Sequence, residues 1–492
     1  MMLTRRSVVH LGCSAAILGM GGTGQKLFAE APTNAKTYAD DITILREALT
    51  ALHPGLYRYL SPRQADAGIK ALERSFVNAP DLAQRYLALS RFLASIRCGH
   101  SYANFYNQSE AVQTELFKRK TRLPFAFQWI ESAMVVTADH GSGIALQPGT
   151  QVLRINGVPS KKILAALLPY VRADGHNDAK RRALLSISGY EDFETFDVFH
   201  GLIYGAPANG MHEIDMLLPA GQRKIAMIPA ISYEDRQSYR RSKAVKADEP
   251  LWQWDMRPDG IAVLTMNDWG TYNSNWDWRA WLNDRLNTLE NARGLIVDIR
   301  ANEGGEDCGD ELIARFAKNN VPLTDEIKLV SYRTTPKAID PYLDTWDDSF
   351  RTLGEGATPH DTRLFALARS QEETRIAPRG PRIVAPMIIL TGPQNSSATF
   401  RFSSLCKGAG FATLVGEPTG GNQRGINGGR FFFVRLPASG LEFDLPLIGF
   451  FPKNRAPDKG IEPDFLVKTK PADIANGRDV IMETALNLLK SK

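Results

Sequence analysis

Two short segments, about ninety residues apart, constrain the fold of this 492-residue chain more than any other feature. Residues 294–305 (GLIVDIRANEGG) and residues 387–398 (MIILTGPQNSSA) each begin with an apolar run, stop at small residues and continue into a helical pattern. An apolar run that ends at a small-residue turn before a helix is typical of a buried strand in a mixed α/β fold. We therefore expect two neighbouring strand–turn–helix units.

The two turns carry complementary groups for acyl transfer. Gly304 and Gly305 have no Cβ, so their backbone N–H groups approach a ligand closely. Ser397 opens a predicted helix, where the dipole and free N–H groups favour a developing negative charge. One turn therefore offers an oxyanion hole and the other offers a nucleophile.

Each turn also has a simpler interpretation. A serine before a helix is usually only an N-cap. A Gly-Gly turn before a helix is also a place where phosphate binds. Negative charge around the glycine turn argues against phosphate, and it comes from Glu303, Glu306, Asp307, Asp310 and Glu311.

Four motifs in this order resemble the C-terminal processing (tail-specific) serine peptidases, in the branch of the tricorn core protease and the interphotoreceptor retinoid-binding modules. The motifs are Val297-Asp298-Ile299-Arg300 with Asn302 to Gly305, Ser396-Ser397-Ala398, Val415-Gly416-Glu417-Pro418-Thr419, and Gly460-Ile461-Glu462-Pro463-Asp464. The resemblance implies a mixed α/β core of the crotonase/Clp-like β-spiral type. It also implies Ser397 as nucleophile, an oxyanion hole from Gly304 or Gly305 with Ala398, and no cofactor or metal.

The resemblance also guides the choice of general base. Many of these peptidases place a lysine just after the Val-Gly-Glu-x-Thr motif, but residues 420–423 here are GGNQ. Lys407 lies ten residues past Ser397 on a predicted helix, about 15 Å along its axis, which is too far for a dyad. The tricorn-like branch instead implies His100, whose imidazole has the near-neutral pKa that proton shuttling needs. His176 is the weaker rival, and we interpret His53 as a structural residue at a helix end.

A carboxylate should orient the imidazole. The resemblance implies Asp458, two residues before the last motif, with Glu462 as the alternative and Ser101 as a possible fourth polar member. Three positions depart from the family pattern, namely Cys98, Glu303 and Phe400. They leave the predicted nucleophile and base in place.

The composition is that of a large soluble protein, with 43% hydrophobic and 23% charged residues. A net charge of +5 on so long a chain, without a basic stripe, predicts no nucleic-acid partner. Arg5-Arg6 before an apolar run to Gly22 resembles a twin-arginine export signal, and we expect a periplasmic or secreted protein with no stable membrane insertion. Oligomeric state is left open.

The predicted organisation has five parts. They are residues 1–31 as export signal, 32–115 as a helical region carrying the base, 116–231 as a degenerate PDZ-like module, 232–250 as a linker, and 251–492 as the catalytic core. A PDZ-like module adds a peptide as an extra strand; a scaffold without a groove is the alternative. Cys98 and Cys308 flank the predicted site, so a disulfide between them is one hypothesis and free buried thiols are the other.

These patterns together predict a serine peptidase that hydrolyses peptide bonds of exported polypeptides through an acyl-enzyme. One alternative is a non-catalytic protein that binds apolar or peptide ligands on the same fold. The other is an acyl-CoA enzyme of the crotonase type, which the acidic glycine turn and the export signal disfavour.

Overall fold

The computed structural model describes residues 37–240, 249–323, 325–370 and 372–490. The predicted export signal, residues 1–31, lies outside them. The helices are α1 (Tyr38–Leu52), α2 (Pro62–Val77), α3 (Leu82–Ser95), α4 (Glu110–Leu116), α5 (Ser160–Leu167), α6 (Asp178–Leu184), α7 (Thr195–Tyr204), α8 (Tyr233–Ser238), α9 (Trp278–Leu286), α10 (Gly309–Phe316), α11 (Ser397–Gly408), α12 (Pro471–Ala475) and α13 (Val480–Lys490). Among these helices, none is long and apolar enough to cross a membrane.

The strands of the described residues lie between Phe125 and Leu466. They are β1 (Phe125–Ile130), β2 (Ala133–Asp139), β3 (Gln151–Ile155), β4 (Val158–Pro159), β5 (Met211–Leu217), β6 (Arg223–Pro229), β7 (Gln253–Met256), β8 (Ile261–Thr265), β9 (Gly294–Asp298), β10 (Val321–Pro322), β11 (Glu326–Val330), β12 (Leu343–Asp344), β13 (Thr358–Pro359), β14 (Phe365–Ala366), β15 (Arg375–Ile376), β16 (Met387–Thr391), β17 (Ala412–Gly416), β18 (Asn427–Leu436), β19 (Leu441–Pro452) and β20 (Phe465–Leu466).

The sheet that positions the two turns has the order β20-β17-β16-β9-β8-β7. Strands β8, β9, β16, β17 and β20 are parallel, and β7 pairs antiparallel at one edge. β9 and β16 are neighbours and are buried along their whole length, as expected of central strands covered on both faces. Their carboxyl ends therefore deliver the glycine turn and the serine turn to the same edge, as predicted.

A second sheet has the order β12-β18-β19-β11-β14-β13, and a third has the order β1-β2-β3-β5-β6 with β4 beside β3. The helical periodicity predicted near the N-terminus is confirmed by α1, α2 and α3. These helices share one apolar core with the third sheet and with β18 and β19. That core crosses the predicted boundaries between the helical region, the module and the catalytic core, because β18 and β19 of the second sheet pack against α1.

The third sheet lies within the predicted PDZ-like module, residues 116–231. That it is a peptide-binding module stays a prediction. The first part of the predicted linker, 232–250, is the short helix α8, whose Arg236 is only 2% exposed. Arg236 forms an ion pair with Asp197 at 2.9 Å, so α8 packs against the module rather than hanging free.

The described cysteines, Cys98, Cys308 and Cys406, are all free and buried. The hypothesis of a Cys98–Cys308 disulfide is therefore wrong, and the alternative of free buried thiols is confirmed. The Asn427 side-chain amide donates to Cys98 Sγ at 3.3 Å. The Cys308 Sγ lies 4.0 Å from Thr271 Oγ1. Each thiol thus has its own local packing partner.

Candidate active site

Ser397 occupies a strained turn between β16 and α11. Its φ is +49°, a left-handed conformation that residues other than glycine seldom adopt. The side chain is partly exposed at the start of the helix. The preceding Ser396 stands at the N-cap position without a side-chain capping bond, and its Oγ donates instead to Glu303 O at 3.0 Å. The simpler N-cap interpretation therefore does not explain this pair of serines, and strain of this kind is concentrated at functional sites.

The glycine turn lies directly against Ser397. Gly304 and Gly305 have φ values of +113° and +137°, so both positions require glycine. A Cβ on Gly304 would lie 2.8 Å from the Ser397 Cβ and 3.0 Å from the Ala398 nitrogen. The structure thus brings the predicted nucleophile and the predicted oxyanion turn into contact.

The three predicted oxyanion donors differ in whether their N–H groups are occupied. The Gly304 N–H donates to Asn302 Oδ1 at 2.8 Å, so it already has an acceptor. The Gly305 N–H has no acceptor among the described residues. Ala398 lies in the first turn of α11, where backbone N–H groups have no intrahelical acceptor. Gly305 and Ala398 are therefore the available pair.

Two fully buried asparagines brace the turns against each other. Asn302 donates from Nδ2 to Met266 O at 2.7 Å, while its backbone O accepts Nδ2 of Asn395 at 3.0 Å. The Asn395 backbone O in turn accepts the N–H groups of Gly420 and Gly421 at 2.7 and 2.9 Å. These bonds fix the relative positions of the glycine turn, the serine turn and the 420–422 loop.

His100 lies in the loop that follows α3 and is partly exposed. Its ring centre is 5.9 Å from that of Phe431. Its Nδ1 is buried without a hydrogen-bond partner among the described residues, and no hydrogen bond joins its ring to Ser397. Catalytic hydrogen bonds of unliganded enzymes are often long and shorten when substrate binds.

The electrostatic surroundings of His100 favour a neutral imidazole. Burial lowers the pKa of His100, and the charge of Asp174 opposes that shift only in part. Asp174 is 2% exposed, and its Oδ1 accepts the N–H of Gly99 at 2.8 Å. A neutral imidazole is the form that accepts a proton, so this environment is compatible with the predicted role of His100 as a base.

The structure does not bring Asp458 to His100. Its Oδ2 instead lies 2.6 Å from Nδ1 of His176, and its Oδ1 accepts the His176 N–H at 3.1 Å and the Asn422 amide at 2.7 Å. Burial raises the pKa of Asp458, but the hydrogen bonds from His176 and Asn422 outweigh it and lower the pKa overall. The carboxylate predicted to orient His100 is thus occupied by the rival histidine.

The other predicted polar residues also have partners away from the imidazole. Glu462 forms an ion pair with Lys459 at 3.2 Å and is half exposed. Ser101 is fully buried, and its Oγ lies 2.9 Å from Nε2 of His53. Lys407 donates to Glu462 O at 2.7 Å and pairs with Asp464, at the far end of α11 from Ser397. Lys407 is therefore not the base, in agreement with the sequence prediction.

A buried ionic cluster lies behind the glycine turn. The carboxylate of Glu303 binds Lys180 Nζ at 2.7 Å and Arg172 Nη2 at 2.8 Å. Burial raises the pKa of Glu303, yet the two cations dominate and hold it far below its usual value. Burial also lowers the pKa of Lys180, an effect that Glu303 partly offsets.

Sequence reasoning missed Asp174, Arg172, Lys180 and Asn395 as parts of this site. They come from a loop, from α6 and from the residue before the serine pair, and none belongs to a motif that signals catalysis. Glu303 was recognised as a departure from the family pattern and as one of the acidic residues around the glycine turn, but not as the centre of an ionic cluster. The signal available in the sequence was the position of Glu303 directly before the glycine turn. A charge that is buried beside such a turn requires partners of opposite charge.

Comparison with known proteins identifies the part of the chain that holds both turns. Residues 260–467 match the family described as peptidase family S41. The chain carries a peptidase family S41 domain. The predicted resemblance to the C-terminal processing serine peptidases is confirmed, and the chain is a serine-type peptidase.

Solved structures agree with this family at the level of the fold. Mature CPAF complexed with lactacystin matches with a TM-score of 0.62 and 14% identity, covering 93% of this chain and 99% of that one. Mature CPAF in a second structure gives a TM-score of 0.60 and 13% identity, over 93% and 98% of the two chains. The predicted mixed α/β class of the S41 fold is confirmed, while no curated protein sequence matches the chain.

Proposed function

We propose that this S41 peptidase hydrolyses peptide bonds of exported polypeptides through an acyl-enzyme on Ser397, with His100 as general base. The observation that carries the proposal is the contact between a strained, partly exposed serine and the glycine turn. A Cβ on Gly304 would lie 2.8 Å from the Cβ of Ser397, so a carbonyl attacked by Ser397 lies at the turn.

The reaction divides into two steps with the same groups. Ser397 Oγ attacks the carbonyl carbon while His100 takes the hydroxyl proton, and the carbonyl oxygen becomes an oxyanion held by the N–H groups of Gly305 and Ala398. A donor of this kind contributes about 3 kcal/mol to catalysis. His100 then gives the proton to the leaving amine, and the C–N bond breaks. Water, deprotonated by His100, then attacks the ester carbonyl carbon. His100 returns the proton to Ser397 Oγ as the ester C–O bond breaks, which releases the new carboxyl terminus.

Asp174 replaces Asp458 in this proposal as the carboxylate that serves His100. Its charge opposes the effect of burial on the imidazole, and its Oδ1 holds the backbone of Gly99 next to the histidine. Asp174 therefore stabilises the imidazolium that forms during the reaction, by charge and loop placement rather than by a hydrogen bond to Nδ1.

A cleft next to the turns is suited to receive the substrate chain. Its lining includes Ala301, Glu303 and Gln394 from the two turns, together with Ser186, Ser188 and Glu191. Polar side chains and apolar surface both contribute to this lining. It offers hydrogen bonds to a peptide backbone without requiring a cofactor.

The proposal places the mature chain in the periplasm. Support comes from Arg5-Arg6 before the apolar run that ends at Gly22, a pattern like a twin-arginine signal. Cell fractionation of the full chain and of an Arg5→Lys/Arg6→Lys variant tests this. Loss of the periplasmic fraction in the variant supports it, and equal periplasmic recovery contradicts it.

The nucleophile is tested by fluorophosphonate labelling followed by mass-spectrometric mapping of the adduct. The adjacent serines provide a matched pair, Ser397→Ala and Ser396→Ala. We expect the adduct on Ser397, no labelling in Ser397→Ala, and continued labelling of Ser397 in Ser396→Ala at a reduced rate, because Ser396 supports the glycine turn.

Hydrolysis of unfolded casein by the same three proteins shows whether the labelled serine cleaves peptides. Loss of cleavage in Ser397→Ala alone supports the proposal. An adduct on another residue, or casein cleavage by Ser397→Ala, contradicts it. A folded wild-type protein that is neither labelled nor cleaves casein favours the alternative of a ligand-binding protein.

A further inference from the structure

Glu303 is held by two buried cations that approach it from another part of the chain. Lys180 is 2% exposed and belongs to α6, while Arg172 is 10% exposed and lies in the loop before it. The carboxylate accepts from both at 2.7 and 2.8 Å. Both cations of this three-residue cluster therefore bind the same carboxylate, and the cluster is largely removed from water.

Each cation also binds a segment of the proposed active site. Arg172 donates from Nη1 to Gly99 O at 3.0 Å, next to His100. Lys180 donates from Nζ to Gln394 O at 2.8 Å, three residues before Ser397. Glu303 itself precedes Gly304, and its backbone O accepts Ser396 Oγ. One carboxylate thus connects the base loop, the nucleophile turn and the oxyanion turn.

Stability alone is a weak reason for such a cluster. Removing three charges from water costs several kcal/mol per ion, and well-packed apolar residues often serve stability as well. The fixed directions of these hydrogen bonds supply what apolar packing does not, namely a defined placement of three backbone segments.

We propose that Glu303 is a positioning residue that, through Arg172 and Lys180, holds the oxyanion turn in register with the nucleophile and with the base loop. Glu303 stands where the family pattern has a glycine-rich loop, so this chain restrains by ion pairing a turn that glycines alone leave flexible. The inference rests on the proposed function, because it concerns the same serine, histidine and oxyanion donors.

A second consequence concerns the charge around His100. The charged groups that act on its ring are Asp174, Arg172, Glu303 and Lys180. Removing the Glu303 charge leaves two cations without their counterion near the imidazole, which disfavours imidazolium. A structural residue whose charge lies far from the imidazole would not shift the ionisation of the base.

The test is Glu303→Gln, which retains the size of the side chain and loses the charge. The probe is a fluorophosphonate. The maximal rate of serine phosphonylation and the half-saturating probe concentration are measured between about pH 5 and 8. We expect the maximal rate to fall about a hundredfold, since a misplacement near 1 Å has an effect of this size. The half-saturating concentration should stay close to that of wild type, and the acid limb should move to lower pH.

The control is Asp197→Asn, which breaks the buried ion pair with Arg236 beside the third sheet. We expect this variant to lower the melting temperature without moving the acid limb. If Glu303→Gln does not fold, Arg172→Lys gives the same test, because lysine cannot hold Glu303 and Gly99 O together in the fixed fork of arginine. A slower maximal rate in Arg172→Lys at an unchanged melting temperature supports the proposal.

The failures of the two proposals are distinguishable. If Glu303→Gln, or Arg172→Lys in its place, is phosphonylated at the wild-type rate with an unchanged pH profile, the positioning role is overturned. In that case loss of labelling in Ser397→Ala still supports the proposed peptidase. If folded wild-type protein is not labelled, both proposals fail together.

Discussion

Two histidine–aspartate pairs lie close to each other in this molecule, and they differ in the exposure and in the hydrogen bonding of the histidine. His176 is 59% exposed and has a direct 2.6 Å contact with Asp458. His100 is only partly exposed, its Nδ1 is buried without a hydrogen bond, and Asp174 acts on it by charge and through the backbone of Gly99. The pair with the better hydrogen bond is thus the one that is more open to water.

Under the proposed mechanism, a hydrogen-bonded histidine and aspartate do not by themselves identify the base. Burial lowers the pKa of the His100 imidazole and favours its neutral form, which is the state that accepts a proton. An exposed, hydrogen-bonded pair such as His176 and Asp458 also joins the 174–176 loop to Asn422, which is a structural task. Connection to the oxyanion turn through Arg172 further separates His100 from its rival.

The largest difference in reaction rate is expected between substitutions of the two histidines. His100→Ala should slow both casein cleavage and phosphonylation by the fluorophosphonate about a thousandfold, the usual contribution of a general base. His176→Ala should leave both rates close to wild type, because its ring serves Asp458 rather than Ser397. Steady-state rates at neutral pH measure the contrast, and an inactive His176→Ala beside an active His100→Ala would reverse the assignment.

A smaller difference is expected between the two aspartates. Asp174→Asn keeps an oxygen for the Gly99 N–H and removes the charge, so we expect about a tenfold loss of rate, equivalent to about 1.4 kcal/mol. Asp458→Asn is the matched substitution at the other pair and should change the rate much less. The acylation rate of folded protein distinguishes them, and a larger loss in Asp458→Asn would restore the carboxylate that the sequence predicted.

The smallest expected effect concerns strain at Ser397. Its left-handed φ costs a residue with a Cβ about 1 kcal/mol, whereas glycine adopts it freely. Ser397→Gly should therefore melt at a higher temperature than Ser397→Ala, although neither is labelled. Equal melting temperatures, or a less stable Ser397→Gly, would show that the turn stores no strain.

The sequence predicted the parts of the site that depend on local pattern. Apolar runs before small residues located β9 and β16, and their order placed Ser397 beside Gly304 and Gly305. The missing lysine after Thr419 and the distance to Lys407 correctly removed a lysine base on α11. These features follow from residues that are neighbours in the chain or in adjacent parallel strands.

The partners of the charged residues were not predictable in the same way. Arg172, Asp174 and Lys180 reach the site because α6 and its preceding loop pack across the carboxyl ends of β9 and β16, which no periodicity indicates. Asp458 was placed by family pattern alone, and Gly175 next to it brings His176, not His100, within reach. The disulfide hypothesis failed for a related reason. The sequence indicated that the loops carrying Cys98 and Cys308 both flank the site, but this does not bring the two sulfur atoms together.

The most direct test of the central claim, that His100 is the base for Ser397, is the pH dependence of phosphonylation by the fluorophosphonate in wild type and His176→Ala. A base must be neutral to act, so the rate falls as the pH drops through its pKa. Burial lowers the pKa of His100, and we therefore predict one acid limb below about pH 6.5 that is the same in both proteins. An acid limb at or above about pH 6.5 that disappears in His176→Ala would contradict the account.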